Sequence, residues 1–252
     1  MAWTVTQQGT DYENANSTNL VIPSFTPSAG SLLVLIVGIT LSGEPTAVSG
    51  HDGGVSWAKV IELTDSWFNV GGGPDGSGDG TVQVWACIVG SSPSAGTITV
   101  TKSGYSGQCC GAVLEITGDH DTSPSSMSDI FGSPDSYTIY RDSGETYSLT
   151  LASFASSNNM TLAIGGMAGT NKVTFESSPN SYTAFPEFGA NRAMRLAWYD
   201  GADTNPTMTP ANYSQTGFIA FEIKEDSGGG STVLPINRSL NGTFFGPFAG
   251  AL

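Results

Sequence analysis

One pattern of short strands is written twice in this chain. Residues 82–116 read VQVWACIVGSSPSAGTITVTKSGYSGQCCGAVLEI, and residues 194–223 read MRLAWYDGADTNPTMTPANYSQTGFIAFEI. Each begins with an apolar strand carrying a tryptophan (Trp85, Trp198). A Gly/Ser/Pro/Asp loop, a threonine-rich strand and a tyrosine turn follow (Gly104-Tyr105-Ser106, Asn212-Tyr213-Ser214). Each ends in an apolar strand closing on Glu-Ile (Glu115-Ile116, Glu222-Ile223). Upstream, the run from Phe25 to Ile39 echoes the run from Phe154 to Met167. A duplication in fixed order constrains architecture, because each copy must bury the same face. It carries no chemistry by itself.

Runs rich in Val, Ile, Leu, Thr and aromatics, bounded by Gly, Pro, Asn and Ser, predict strands at 18–22, 31–39, 56–62, 81–89, 96–101, 110–117, 146–151, 160–166, 193–199 and 216–223, with a weaker one at 172–176. The stretch from Ser31 to Ile39 is apolar almost throughout, which predicts burial on both sides. Residues 81–88 alternate, with Val82, Val84 and Ala86 set against Gln83, Trp85 and Cys87. No segment holds a helical period over ten residues. The expectation is an all-β, jelly-roll-like β-sandwich built from two similar halves, 18–117 and 146–223, within a domain spanning 1–226. Its expected core includes Leu33, Leu35, Val37, Val84, Val113, Leu162, Ile164, Leu196, Ile219 and Phe221. Three loops, 69–80, 117–145 and 177–192, are long enough to be contact surfaces.

The charge balance removes several function classes. Lys and Arg number 8 against 22 Asp and Glu, a formal net charge of −14. A phosphate backbone or an anionic membrane surface would be repelled. Charged residues make up 12% of the chain, about half the usual share of roughly 25%. The 38% hydrophobic content nevertheless suffices for a core. The three cysteines, Cys87, Cys109 and Cys110, write no disulfide framework and have no metal-ligand spacing. Residues 1–19 lack the basic start and apolar run of a signal peptide, and no stretch is long and apolar enough to span a bilayer.

The C-terminal region reads differently. Residues 227–232 form a Gly/Ser linker, and 233–252 form an apolar segment with one charge, Arg238. Pro235, Gly242, Pro247 and Gly250 exclude a helix there. The expectation is a flexible docking arm whose anchors are Leu234, Ile236, Leu240, Phe244, Phe245 and Phe248, seated on its own domain or on another chain, with a disordered terminus as the remaining alternative.

Candidate chemistry is sparse. His51 and His120 lie in Gly/Asp loops and are expected to be solvated; no Gly-x-Ser-x-Gly elbow accompanies them. Glu115 and Glu222 are the best carboxylate pair, but glutamates closing apolar strands are expected to face solvent or anchor turns. Asp75 and Asp79 are weak calcium candidates in a loop that reads better as an acidic hairpin tip, and Asp119 and Asp121 are similarly weak as a cation site. No cofactor, metal site or enzymatic activity is expected. Aromatics in or near loops (Trp67, Phe68, Tyr137, Tyr140, Tyr182, Phe185 and Phe188) suit a subunit interface, a glycan-contact platform or packing in the chain's own core.

The run Phe25-Thr26-Pro27-Ser28-Ala29-Gly30-Ser31-Leu32-Leu33-Val34-Leu35, followed by Val82-Gln83-Val84-Trp85-Ala86, Gly96-Thr97-Ile98-Thr99-Val100 and Ala112-Val113-Leu114-Glu115-Ile116, resembles β-sandwich virion structural proteins of tailed bacteriophages. The resemblance spans about residues 18–223 and does not include the C-terminal arm. It implies a capsid decoration or cement protein, or a tail-appendage protein, made in the host cytoplasm and located in the virion. The partners implied are other virion proteins and the chain itself, by analogy as a homotrimer. The alternative is a receptor-binding module that recognises host surface glycan.

Overall fold

The computed structural model describes residues 3–14, 18–40, 44–65, 80–103, 108–132, 134–139, 145–168, 173–175, 180–188, 192–210 and 216–226. These residues are all-β. The first eight strands are β1 (Thr4–Asn14), β2 (Asn19–Phe25), β3 (Leu32–Thr40), β4 (Pro45–Ser49), β5 (Val55–Asp65), β6 (Gly80–Ile88), β7 (Gly96–Lys102) and β8 (Gln108–Thr117). After a 3-10 turn at Met127–Asp129 come β9 (Asp135–Ile139), β10 (Tyr147–Ser148), β11 (Met160–Ala168), β12 (Val173–Phe175), β13 (Thr183–Ala184), β14 (Arg192–Tyr199), β15 (Thr207–Pro210) and β16 (Thr216–Ile223).

The strands form four antiparallel sheets. The first eight build a five-stranded sheet, β1-β8-β3-β6-β5, and a three-stranded sheet, β2-β7-β4. The last eight build β9-β16-β11-β14-β13 and β10-β15-β12. The two strand orders coincide when every strand is matched with the one eight places later. The register agrees as well. Leu33 stands opposite Glu115 and Thr161 opposite Glu222, so the closing glutamates hold equivalent places.

Three apolar clusters show how the sheets stack. One fills the space between the first pair of sheets, with Leu20 and Ile22 of β2, Leu33, Leu35 and Val37 of β3, and Ile98 and Val100 of β7. A smaller one fills the second pair, with Leu149, Leu151, Ala163, Met208 and Phe218. The largest joins the two five-stranded sheets face to face, through Val34, Val84 and Leu114 on one side and Leu162, Leu196 and Phe221 on the other. Both five-stranded sheets are therefore covered on both faces. This is why β3 is apolar throughout: its alternate residues serve two different clusters. All ten expected core residues are fully buried. Each such side chain contributes about 1.5–3 kcal/mol relative to exposure.

The sequence reading departs from the structure in several places. Strand β1 pairs with β8 along its whole length, yet its sequence, TVTQQGTDYEN, is polar enough to hide it. Backbone pairing at a sheet edge needs no apolar run. Strands β4, β9 and β13 likewise carry no strand signal in the sequence, and β15 shows there only as the threonine-rich strand of the repeat. The region 117–145 is not one long loop: it holds the 3-10 turn, a bridge between Phe131 and Ile223, and β9. On strand β6 the polar Gln83 is fully buried alongside Cys87, whose burial its strand position already implies. The two tryptophans are not equivalent either. Trp85 stands opposite Leu35 and packs on the first outer cluster, whereas Trp198 stands opposite Leu162 and packs on the central one. A shift of one residue in a strand reverses the face.

Candidate functional site

The expected arm anchors Leu234, Ile236, Leu240, Phe244, Phe245 and Phe248 lie outside the described residues, as do Trp67, Phe68, Asp75, Asp79, Tyr140 and the side chain of Tyr137. Three of the loop aromatics are placed. Tyr182 is half-buried between Phe175 and Tyr199, with ring centroids at 6.3 and 5.7 Å, and its hydroxyl donates to Asp203 Oδ2 at 2.9 Å. Phe185 packs on the central cluster, and Phe188, 6% exposed, belongs to it. These rings pack internally and do not form a flat external platform.

Glu115 and Glu222 do not face solvent. They are 6% and 8% exposed. Glu115 accepts the Ser28 N–H at 2.6 Å and a bond from Gln8 Nε2. Glu222 accepts a bond from Asn159 Nδ2, and its backbone carbonyl accepts the Gly132 N–H at 3.0 Å. Gly132 has to lack a side chain, since a Cβ there would lie 2.7 Å from Glu222 Cβ. Each carboxylate thus ties the turn before β3 or β11 to the end of the neighbouring strand. Their donors are amides, so neither is set up as the acid or base of a hydrolytic pair.

His120 is not a solvated loop residue. It is 5% exposed, donates from Nε2 to the Gly30 carbonyl at 3.0 Å, and stacks on Trp3 with ring centroids at 6.4 Å. Its Nδ1 is buried and has no hydrogen-bond partner. Burial pushes the imidazole below its ordinary pKa, against the opposing pull of the Gly30 carbonyl and of Asp121 and Asp119. Trp3 also donates to the Asn158 carbonyl at 2.7 Å, so this cluster spans the seam between the first and last eight strands.

The second histidine leads to a cleft. About 400 Å³ of space opens between the β4–β5 loop, Gly50 to Gly53, and the β6–β7 loop, Val89 to Ser94. His51 is half-buried and holds φ at 59°, a left-handed conformation found at no other non-glycine among the described residues. Its Nε2 donates to the Gly96 carbonyl at 2.9 Å, and its ring lies against Phe25 with centroids 4.6 Å apart. Behind it, Trp57 Nε1 donates to the Gly50 carbonyl at 2.6 Å. Glycines let the two loops touch: a Cβ on Gly90 would sit 2.7 Å from Gly53 C, and one on Gly50 would sit 2.2 Å from the Thr97 carbonyl oxygen. The cleft walls are therefore braced backbone. Asp52, Ser91, Ser92 and Ser94 line them and are exposed.

In the corresponding loop among the last eight strands, residues 200–206, Asp203 is buried and bonded internally. Thr161 Oγ1 donates to the Gly201 carbonyl at 2.9 Å, Asp203 takes the Tyr182 hydroxyl, and Asn205 N–H donates to Asp203 Oδ1 at 2.9 Å. In the sequence the only signal of this cleft is the set of glycines Gly50, Gly53, Gly54 and Gly90, which permit close backbone approach.

Among the described residues no group of three or more His, Cys, Asp or Glu side chains could hold a metal ion. Searches against protein-family models, curated proteins and solved structures return no match to this chain.

Proposed function

We propose that this chain is a non-enzymatic structural protein of a bacteriophage virion, most simply a capsid decoration or cement protein acting through subunit–subunit and capsid-surface contacts. The observation that carries the proposal is the internal use of its reactive groups. Glu115, Glu222 and His120 are committed to hydrogen bonds that brace turns and the seam between the two five-stranded sheets. Framework is what such a molecule offers. The strand order, in which β1-β8-β3-β6 faces β2-β7-β4 and recurs eight places on, supports a jelly-roll winding in two similar halves. The outward positions of the three-stranded sheets add to this. Thr97, Thr99 and Thr101 on β7, and Thr207 and Thr209 on β15, alternate with buried neighbours, so each presents small uncharged groups. Such faces suit close contact on a chain whose net charge otherwise repels its own copies.

In this proposal the apolar segment 233–252 latches onto a neighbouring subunit, and the assembly is a homotrimer within the virion. Light scattering on the full chain and on a version ending at Asp226 tests it. A full chain that is oligomeric and a truncation that is monomeric support the latch. Monomers in both cases, together with failure of the full chain to bind purified capsids, remove the decoration reading. The second reading, a receptor-binding module for host glycan, draws its support from the His51 cleft.

A further inference from the structure

We propose that the cleft between the β4–β5 and β6–β7 loops is a binding site for a neutral saccharide, held through paired hydroxyl groups. The proposal goes beyond the structural reading and does not depend on it.

The cleft costs the fold backbone strain. His51 is held in a left-handed backbone conformation, and Gly50, Gly54 and Gly90 are required where a Cβ would strike backbone at 2.2, 2.5 and 2.7 Å. Strain of this kind persists only where its surroundings enforce it, and it clusters at binding sites. The enforcing contacts are in place: His51 Nε2 to Gly96 O, Trp57 Nε1 to Gly50 O, and the Phe25 ring. The volume, about 400 Å³, lies in the range of small-molecule sites. In the equivalent 200–206 loop the acidic residue, Asp203, is buried and consumed in internal bonds. Asp52, Ser91, Ser92 and Ser94, by contrast, remain exposed around open space.

The lining selects the ligand. An anion would meet Asp52 and a net charge of −14. A metal ion lacks its ligand set among the described residues. A largely apolar ligand finds only Val89 and Pro93 to pack against. A sugar fits the donors and acceptors present. Two adjacent hydroxyls can donate to the two oxygens of Asp52, and serine hydroxyls and loop amides can bond the remaining oxygens. Rigid walls keep the ordering cost low.

Trp57 provides the readout, since its indole is bonded to the cleft backbone. The full chain is titrated with glucose, galactose, mannose and N-acetylglucosamine while its fluorescence and amide NMR shifts are followed. At least one sugar is expected to saturate with half-effect at about 1 mM, shifting the amides of residues 50–53 and 89–97. Asp52→Asn, an exposed substitution that leaves the fold intact, is expected to weaken that binding about tenfold or more. Ser92→Ala is expected to weaken it less. The proposal is overturned if no sugar in the panel shifts these amides at concentrations of about 100 mM. It is equally overturned if binding is unchanged in Asp52→Asn and Ser92→Ala. Oligomeric state and capsid binding are read by separate assays, so failure here leaves the structural proposal untouched.

Discussion

Glu115 and Glu222 stand at equivalent register positions in the two five-stranded sheets, opposite Leu33 and Thr161, and each fastens the turn that precedes its partner strand. The donors differ. A backbone N–H of Ser28 and the Gln8 amide serve Glu115, and the Asn159 amide serves Glu222. The architecture preserves the carboxylate's task while the chain changes the groups that meet it.

Glu115→Ala should therefore destabilise the protein by about 1–3 kcal/mol, because it leaves the Ser28 N–H and the Gln8 amide without their acceptor. Glu222→Ala should cost a similar amount through Asn159. Denaturant unfolding of the two variants and the parent measures both. A loss well under 0.5 kcal/mol in either would show that water replaces the lost acceptor.

His120 makes the stability depend on pH with a definite sign. Burial holds its folded-state pKa below the ordinary 6.5. Below pH 6.5 the unfolded chain therefore binds more protons at this residue than the folded one. The contribution is complete above that pH and is lost as the pH falls through it. Thermal unfolding between pH 7.5 and pH 5.5 should show the parent losing stability faster than His120→Gln, whose amide can still donate to Gly30. Parallel curves would place the pH sensitivity elsewhere.

The central cluster draws on both five-stranded sheets, so the first and last eight strands are expected to unfold together. Phe221→Ala, at a position with no exposed surface, should cost about 3–5 kcal/mol. Val84→Ala, on the facing sheet, should cost less. Both should lower a single calorimetric transition. Two separate transitions, with each variant moving only one, would mean that the seam is weaker than its apolar area indicates.

The cysteines should be inert in the native protein. Cys87, Cys109 and Cys110 are buried and lie outside any disulfide, and burial pushes the Cys87 thiol far above its ordinary pKa, with Asp52 adding to the shift. A thiol reagent should find no reactive cysteine in the folded chain and three after unfolding in denaturant. Rapid modification of Cys87 under native conditions would signal local opening of β6.

How much was legible in the sequence can be judged residue by residue. The apolar run of β3 announced double burial, and Leu33, Leu35 and Val37 were identified as core from their neighbours alone. Strand β1 was not visible, because its pairing with β8 is made by backbone and its side chains are mostly polar. His120 looked solvated between Asp119 and Asp121, and only the approach of Gly30 and Trp3 from distant parts of the chain buries it. The His51 cleft was equally hidden, since it exists where two loops far apart in sequence meet across glycines.

The sequence by itself determined the class of the fold and its duplication. Strand periodicity and turn residues are local properties, and they recur in the same order in both parts of the chain. Tertiary structure alone decided which face each residue serves, as the one-residue offset between Trp85 and Trp198 shows. It also decided which polar groups are spent on the framework and which remain exposed. Those outcomes depend on register and on contacts between residues distant in the chain, where a shift of one position exchanges core for surface.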